Sequence, residues 1–411
     1  MTRRRRIGLI VLGVAVLLAF ALRWLALPPQ VTGFIIGRIG QSLGLEITAS
    51  GVSEYRLRGT PLLVLRDVVV REHGQPPLLS ASRIHVALPW STIRSGGDAL
   101  HAQRVELDAP RLDLPALQRW LARRPPAETR IPTLTKGLRI QDGTIVNNDW
   151  RIDGIEVRLP SLFPDKPLRA QIRGRYLDAP TSIPFDLAVA LTHPGNDAGL
   201  AVVGPLTIAR DAWRLPAYVK LSGPLHIGSD DLRITPARLG MTARYRQGQT
   251  DLPFALGVFG PLHFDEATWS LAPAGIALRG QDVMPNLDAR GALALGRRLV
   301  LQLDGELAEW PQAWPTLPPP LGQSTSPLPF ALRYVGKPDL TDIAALQLQR
   351  EDTRFDGRFR LPEVSAWIDA PDASPLPPLA GRLGTPRLDV SGVQLEGVEI
   401  TLDDPALDGT Q

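Results

Sequence analysis

Six histidines, His73, His85, His101, His193, His226 and His263, are the first residues to test for chemistry. A helical zinc site needs two of them four residues apart on one face, with carboxylates close by. No pair has that spacing. His226 and His263 occupy the same slot of a repeated phrase, GPLHI and GPLHF, which a third copy, GPLTI, fills with Thr207. A slot that accepts His or Thr between apolar neighbours reads as the polar face of a strand. Asp230 with Asp231, and Asp403 with Asp404, are the conspicuous carboxylate pairs, but adjacent residues in a strand point to opposite faces and do not form a dyad. The chain carries no P-loop or dinucleotide fingerprint. It has no cysteine, which removes disulfides, thiolate metal sites and a cysteine nucleophile. The reading is a non-enzyme without metal or cofactor.

The charge balance argues against nucleic acid. Of 45 basic residues, Arg3, Arg4, Arg5, Arg6 and Arg23 lie in the first turns of the chain. The remainder is close to neutral against 42 acidic residues and lacks the electrostatic footprint that phosphate binding requires.

The four leading arginines precede an uncharged apolar run that begins at Ile7 and reaches Leu22, followed by Arg23, Trp24 and a last apolar turn to Leu27. As a helix, residues 7–27 span roughly 30 Å, the thickness of a hydrocarbon core. The run exceeds the length usual for a cleaved signal peptide, so an uncleaved anchor is expected. Arg23 can snorkel and Trp24 suits the interfacial belt. The positive-inside rule puts residues 1–6 in the cytoplasm and the rest of the chain across the membrane, in the periplasm of a two-membrane bacterium. After the anchor, Val31, Phe34, Ile35, Ile39 and Leu43 have the spacing of a short amphipathic helix.

From Leu62 the period changes to two. Val105, Leu107 and Ala109 alternate with Arg104, Glu106 and Asp108, and the pattern returns at Ile155, Val157 and Leu159, at Leu299, Leu301 and Leu303, at Leu346 and Leu348, and at Val398, Ile400 and Leu402. Each stretch reads as a strand with one oily face. Forty prolines and thirty-seven glycines leave little room for helices, and long apolar runs of the parallel-sheet kind are scarce. The expectation is an antiparallel meander with one internal helix, LPALQRWLARR, carrying Leu117, Trp120 and Leu121 on its apolar stripe. Proline-dense stretches at 311–329 and 371–378 read as surface loops.

Two phrases are written three times. IPFDL, LPFAL and LPFAL place Pro184, Pro253 and Pro329 before Phe185, Phe254 and Phe330, and read as strand openings whose Phe and Leu share a face. The three GPL copies read as Gly-Pro turns that start strands. Repetition of this kind marks stacked structural units.

Several stretches, taken in order, resemble the AsmA family, membrane-anchored periplasmic relatives of the repeating-β-groove, chorein-type lipid-transfer proteins. They are the anchor followed by GRIGQSLGLEITASGVSEYRLRGTPLLVLRDVVVRE, then LLSASRIHVALPWSTI with HAQRVELDAPRLDLPALQRWL, then LRIQDGTIVNNDWRIDGIEVRLPSL with IPFDLAV, and finally DTRFDGRFRL with AGRLGTPRLDVSGVQLEGVEITLDD. The resemblance implies a mostly β fold, a long twisted antiparallel sheet curled into an elongated open groove, with one N-terminal transmembrane helix and a few short helices. Residues 28–310 form the periplasmic groove, 311–329 a Pro-rich loop and 330–411 its continuation. It also implies an inner-membrane protein that shields phospholipid acyl chains between inner and outer membranes, with envelope proteins as further partners. Leu107, Val157, Phe185, Phe254, Leu301, Phe330, Leu348 and Ile400 are the candidate groove lining. A non-transporting scaffold for outer-membrane protein assembly or a secretion machine is the alternative.

Overall fold

Strict alternation of apolar and charged residues favours strands, and in the computed structural model 71% of the described residues are in strands. The structure describes residues 45–51, 55–56, 62–87, 89, 101–123, 131–228, 231–314, 321, 326–369, 377–390, 393–404 and 407. The anchor at 7–27 and the amphipathic stretch after it, through residue 44, lie outside them. Among the described residues no helix is long and apolar enough to cross a membrane.

The chain divides into two compact units, the first running to Ile227 and the second starting at Gly228. The first holds β1 (Glu46–Gly51), β2 (Tyr55–Arg56), β3 (Leu62–Arg71), β4 (Pro77–Ala87), β5 (His101–Ala102), β6 (Arg104–Asp108), β7 (Arg111–Asp113), α1 (Leu114–Ala122), β8 (Thr133–Leu134) and β9 (Leu138–Val146). It continues through β10 (Arg151–Leu159), β11 (Leu168–Asp178), β12 (Thr181–Leu191), β13 (Asp197–Arg210) and β14 (Trp213–Ile227). Each strand from β9 to β14 pairs antiparallel with the next.

The meander is interrupted once. β6 and β7 pair in parallel with β9, so the chain must return to the same end of the sheet, and α1 makes that crossover. Asp113 caps α1 by accepting the Ala116 N–H at 2.8 Å, and Pro115 lies in its first turn, where a missing N–H is tolerated. Leu114, Ala116, Leu117 and Trp120 are buried. Leu121, expected on that stripe, is instead 37% exposed. Ala109 likewise leaves its expected face: it is exposed, with φ 45°, and its kink divides one strand into β6 and β7.

The second unit is an uninterrupted antiparallel meander. It comprises β15 (Leu232–Gln247), β16 (Thr250–Asp265), β17 (Thr268–Gly280), β18 (Leu287–Leu295), β19 (Leu299–Leu307), β20 (Leu328–Gly336), β21 (Ile343–Arg350), β22 (Thr353–Arg360), α2 (Leu361–Asp369), β23 (Leu379–Val390) and β24 (Val393–Leu402). From β16 onward each strand pairs antiparallel with the one before it.

The repeated phrases sit differently from the expectation. Gly204, Gly223 and Gly260 lie inside β13, β14 and β16 rather than in turns. Gly204 and Gly260 have φ +153°, and a Cβ there would meet the Asp186 and Pro273 carbonyl oxygens at 2.1 and 2.3 Å. The phrase thus marks a close backbone approach within a strand. Pro184 and Pro253 are fourth in β12 and β16, and Pro329 is second in β20, each in a strand with neighbours on both sides.

Two buried clusters form the core. One lies within β1–β10 and α1, the other within β18–β23.

Candidate apolar binding face

Residues opposite one another in paired strands point to the same face. In the first unit the pairs Leu107 with Ile140, Ile140 with Val157, Val157 with Ile172 and Ile172 with Leu187 carry one face across five strands. Phe185 is two residues from Leu187 and shares that face, opposite Leu206, which is opposite Ala217. In the second unit the candidates Phe254, Leu301, Phe330, Leu348 and Ile400 also fall on one face. Leu278 opposite Leu256 and Leu287 leads from β16 to β18, and Leu307 leads through Leu328 to β20. Phe330, Leu348, Phe355, Leu383 and Ile400 then follow in register.

Exposure divides the candidates. Leu107 and Val157 are 2% and 1% exposed and Phe330 and Leu348 are 9% and 3% exposed, so these four are packed core residues rather than an open lining. Phe185, Phe254 and Leu301 are half-buried, and Ile400 is 38% exposed. The division has a physical cause. The helix α1 packs on β4 and β7 and, with Leu134, Trp150 and Leu162, closes the face over β1–β10. In the second unit Leu321, 1% exposed, joins the cluster of Leu328, Phe330 and Leu348.

Outside those covers the face stays half-exposed. In β11–β14 it presents Ile172, Leu187, Val202, Leu206, Val219 and Leu221, all half-buried. In β15–β19 it presents Leu239, Leu256, Val258, Ile276, Leu293 and Leu301 in the same state. Within each unit these side chains form an apolar patch of the kind that serves as a binding surface.

Ion pairs between neighbouring strands lie on the opposite face. Arg173 with Asp186 at 2.7 Å, Arg279 with Asp288 at 2.8 Å and Arg333 with Asp304 at 2.7 Å bridge adjacent strands there. Bonds from Arg173 and then Gln171 hold the Asp186 carboxyl below the usual carboxylate range. Thr207, His226 and His263 share this polar side, as their slot in the repeated phrase implies. Among the described residues no three His, Asp or Glu side chains are grouped to hold a metal. Asp230 lies outside the described residues, and Asp403 and Asp404 follow β24.

Sequence reasoning missed one polar group on the apolar side. Arg350, 7% exposed, lies opposite Thr353 at the end of β21. It donates to the Leu321 carbonyl and to the Ser326 carbonyl, the latter at 2.6 Å. Thr353 and Thr385 hydroxyls are 3.0 Å apart beside it. The alternation through Leu346 and Leu348 carries the signal, because the next residue of that parity is Arg350.

Comparison of the chain with protein-family models, with curated proteins and with solved structures finds no match in any of the three.

Proposed function

We propose that this is an inner-membrane-anchored periplasmic protein of AsmA type, whose apolar sheet face shields phospholipid acyl chains on their way between the inner and outer membranes. The observation that carries the reading is the half-exposed apolar face of β11–β14 and of β15–β19, with ion pairs between neighbouring strands on the other side of each sheet. An acyl chain is a fitting cover because it asks for apolar contact without directional bonds, which is what these side chains offer. The curled groove, the anchor at residues 7–27 and the periplasmic location belong to this proposal, resting on the sequence resemblance and the N-terminal arginines.

The test is to place Glu singly at Leu206, Leu256 and Leu301, purify the full chain from membranes and measure bound phospholipid by mass spectrometry. Each of these side chains is half-buried, so a Glu can reach water without unfolding the sheet. Lipid content should fall severalfold while circular dichroism is unchanged. Folded variants that retain the full lipid complement overturn the reading. A second reading, a non-transporting scaffold, is favoured by the covers that α1 and Leu321 place over parts of the face. It expects no phospholipid on the wild-type protein.

A further inference from the structure

Two tryptophans on the apolar faces carry an indole N–H with no hydrogen-bond partner. Trp150 is 2% exposed and its Nε1 is buried without an acceptor. Its ring packs 5.6 Å from that of Tyr176, and Tyr176 lies opposite Ile183 on the half-exposed part of the face. Trp150 therefore stands where the closed core gives way to the open strands. In the second unit Trp269 repeats the arrangement. Its Nε1 is buried and unpartnered, its ring lies 4.8 Å from Phe264, and its register partner Leu295 is 46% exposed. Trp314 shows the usual outcome, with its N–H donating to the Val283 carbonyl at 2.9 Å.

A buried indole N–H without an acceptor is uncommon and costly, and two on the same kind of surface ask for an acceptor that arrives from outside. We infer that Trp150 and Trp269 are specificity residues, each donating to the ester carbonyl of a diacyl glycerolipid that lies on the apolar face of its own unit. This rests on the acyl-chain reading above and adds to it the part of the lipid that is recognised. The acceptor must be neutral, because a phosphate placed among aliphatic side chains would lose its hydration without a charged partner. It must also lie at the head of a hydrocarbon chain, since the neighbours of both rings are apolar. The ester carbonyl meets both conditions. Because each N–H is covered, binding shifts the neighbouring side chains, Tyr176 beside Trp150 and Leu295 beside Trp269.

The experiment uses the full chain in detergent with an equimolar mixture of a diacyl (ester) and a dialkyl (ether) phosphatidylethanolamine of equal chain length, and bound lipid is ratioed by mass spectrometry. The ether lipid lacks the carbonyl and is otherwise matched. Wild type should be enriched in the ester lipid about fivefold, the worth of one net hydrogen bond. Trp150→Phe and Trp269→Phe should each lower the enrichment, and the double variant should bring it near one with total lipid retained. Phe keeps the ring and removes the donor, and Trp269, being half-buried, serves if the Trp150 variant fails to fold. A wild-type ratio of one, or enrichment unchanged in folded variants, overturns the inference while leaving acyl binding intact. Wild type that holds neither lipid overturns both.

Discussion

Phe185 lies directly opposite Gly174 in the neighbouring strand, and a Cβ built on Gly174 would stand 3.0 Å from the Phe185 ring and 3.3 Å from Ile152 Cγ2. The other two copies of the phrase repeat the pairing, Phe254 with Gly280 and Phe330 with Gly305. At Gly174 the ring is accommodated by an absent side chain on the neighbouring strand, an arrangement that also fixes register.

Gly174→Val should therefore destabilise the protein by roughly 1–3 kcal/mol, the usual cost of overpacking. Gly240 is the control. A Cβ there meets nothing within 4 Å, so Gly240→Ala should stabilise by about 0.4–1 kcal/mol by restricting the unfolded chain. Urea unfolding of the two variants beside wild type checks both signs.

The crossover to β9 depends on α1 starting where it does. Asp113→Ala removes the acceptor for the Ala116 N–H and should cost about 1 kcal/mol. Asp113→Asn keeps an acceptor and should cost less. Unfolding midpoints of the pair decide whether the cap or the charge matters.

His85 gives the fold a pH dependence. Burial is the main cause of its lowered pKa, Glu106 opposes it, and Arg83 and Arg104 reinforce it, with Asp108 also opposing. Its Nδ1 lies 3.3 Å from Glu106, yet that carboxylate is shared with Arg83 and Arg104, so burial prevails. Because the folded pKa lies below the unfolded value, the unfolded chain takes up the proton first as pH falls. The stability contributed by neutral His85 is present above about pH 6.5 and is lost as pH drops through the folded pKa. Wild type should lose more stability between pH 7 and pH 5 than His85→Gln, measured by urea midpoints at each pH. Equal losses would contradict the assignment.

Strand content and the shared face were legible because both follow from local alternation. Leu107, Val157 and Phe185 fall on one face of the first unit, and Phe254 through Ile400 on one face of the second, as period two requires. Which of them are covered was not legible. Leu107 is closed by a helix that follows it in sequence, whereas Leu348 is closed by Leu321, and neither cover changes the alternation. The glycine partners were hidden for a related reason. Gly174 and Gly305 precede their phenylalanines and Gly280 follows its own, at different separations, because register depends on strand and turn lengths. The GPL phrase was misread because Gly-Pro is a turn signal by propensity, and only the neighbouring carbonyls at Gly204 and Gly260 reveal a close approach inside a strand.

Arg350 separates local from global stability. Its guanidinium is buried on the apolar side, which costs desolvation, and its bonds to the Leu321 and Ser326 carbonyls offset that cost while fastening those two residues to the end of β21. Arg350→Met removes the buried charge and both donors together. Replacing a buried charge by an apolar side chain of similar length is often close to neutral for the fold as a whole, whereas two carbonyls left without donors penalise the docking of Leu321 and Ser326 by roughly 1–3 kcal/mol each. Leu321 and Ser326 can relieve that penalty by turning their carbonyls to water, so the loss should be local. Protease cleavage beside Leu321 and Ser326 should rise about tenfold or more, while the stability of the whole protein by urea unfolding shifts by less than about 1 kcal/mol. Arg350→Lys, which offers a compact charge able to reach one carbonyl at a time, should give an intermediate cleavage rate. Cleavage unchanged in Arg350→Met would mean that Leu321 alone, through its packing beside Leu328 and Phe330, holds the cover in place.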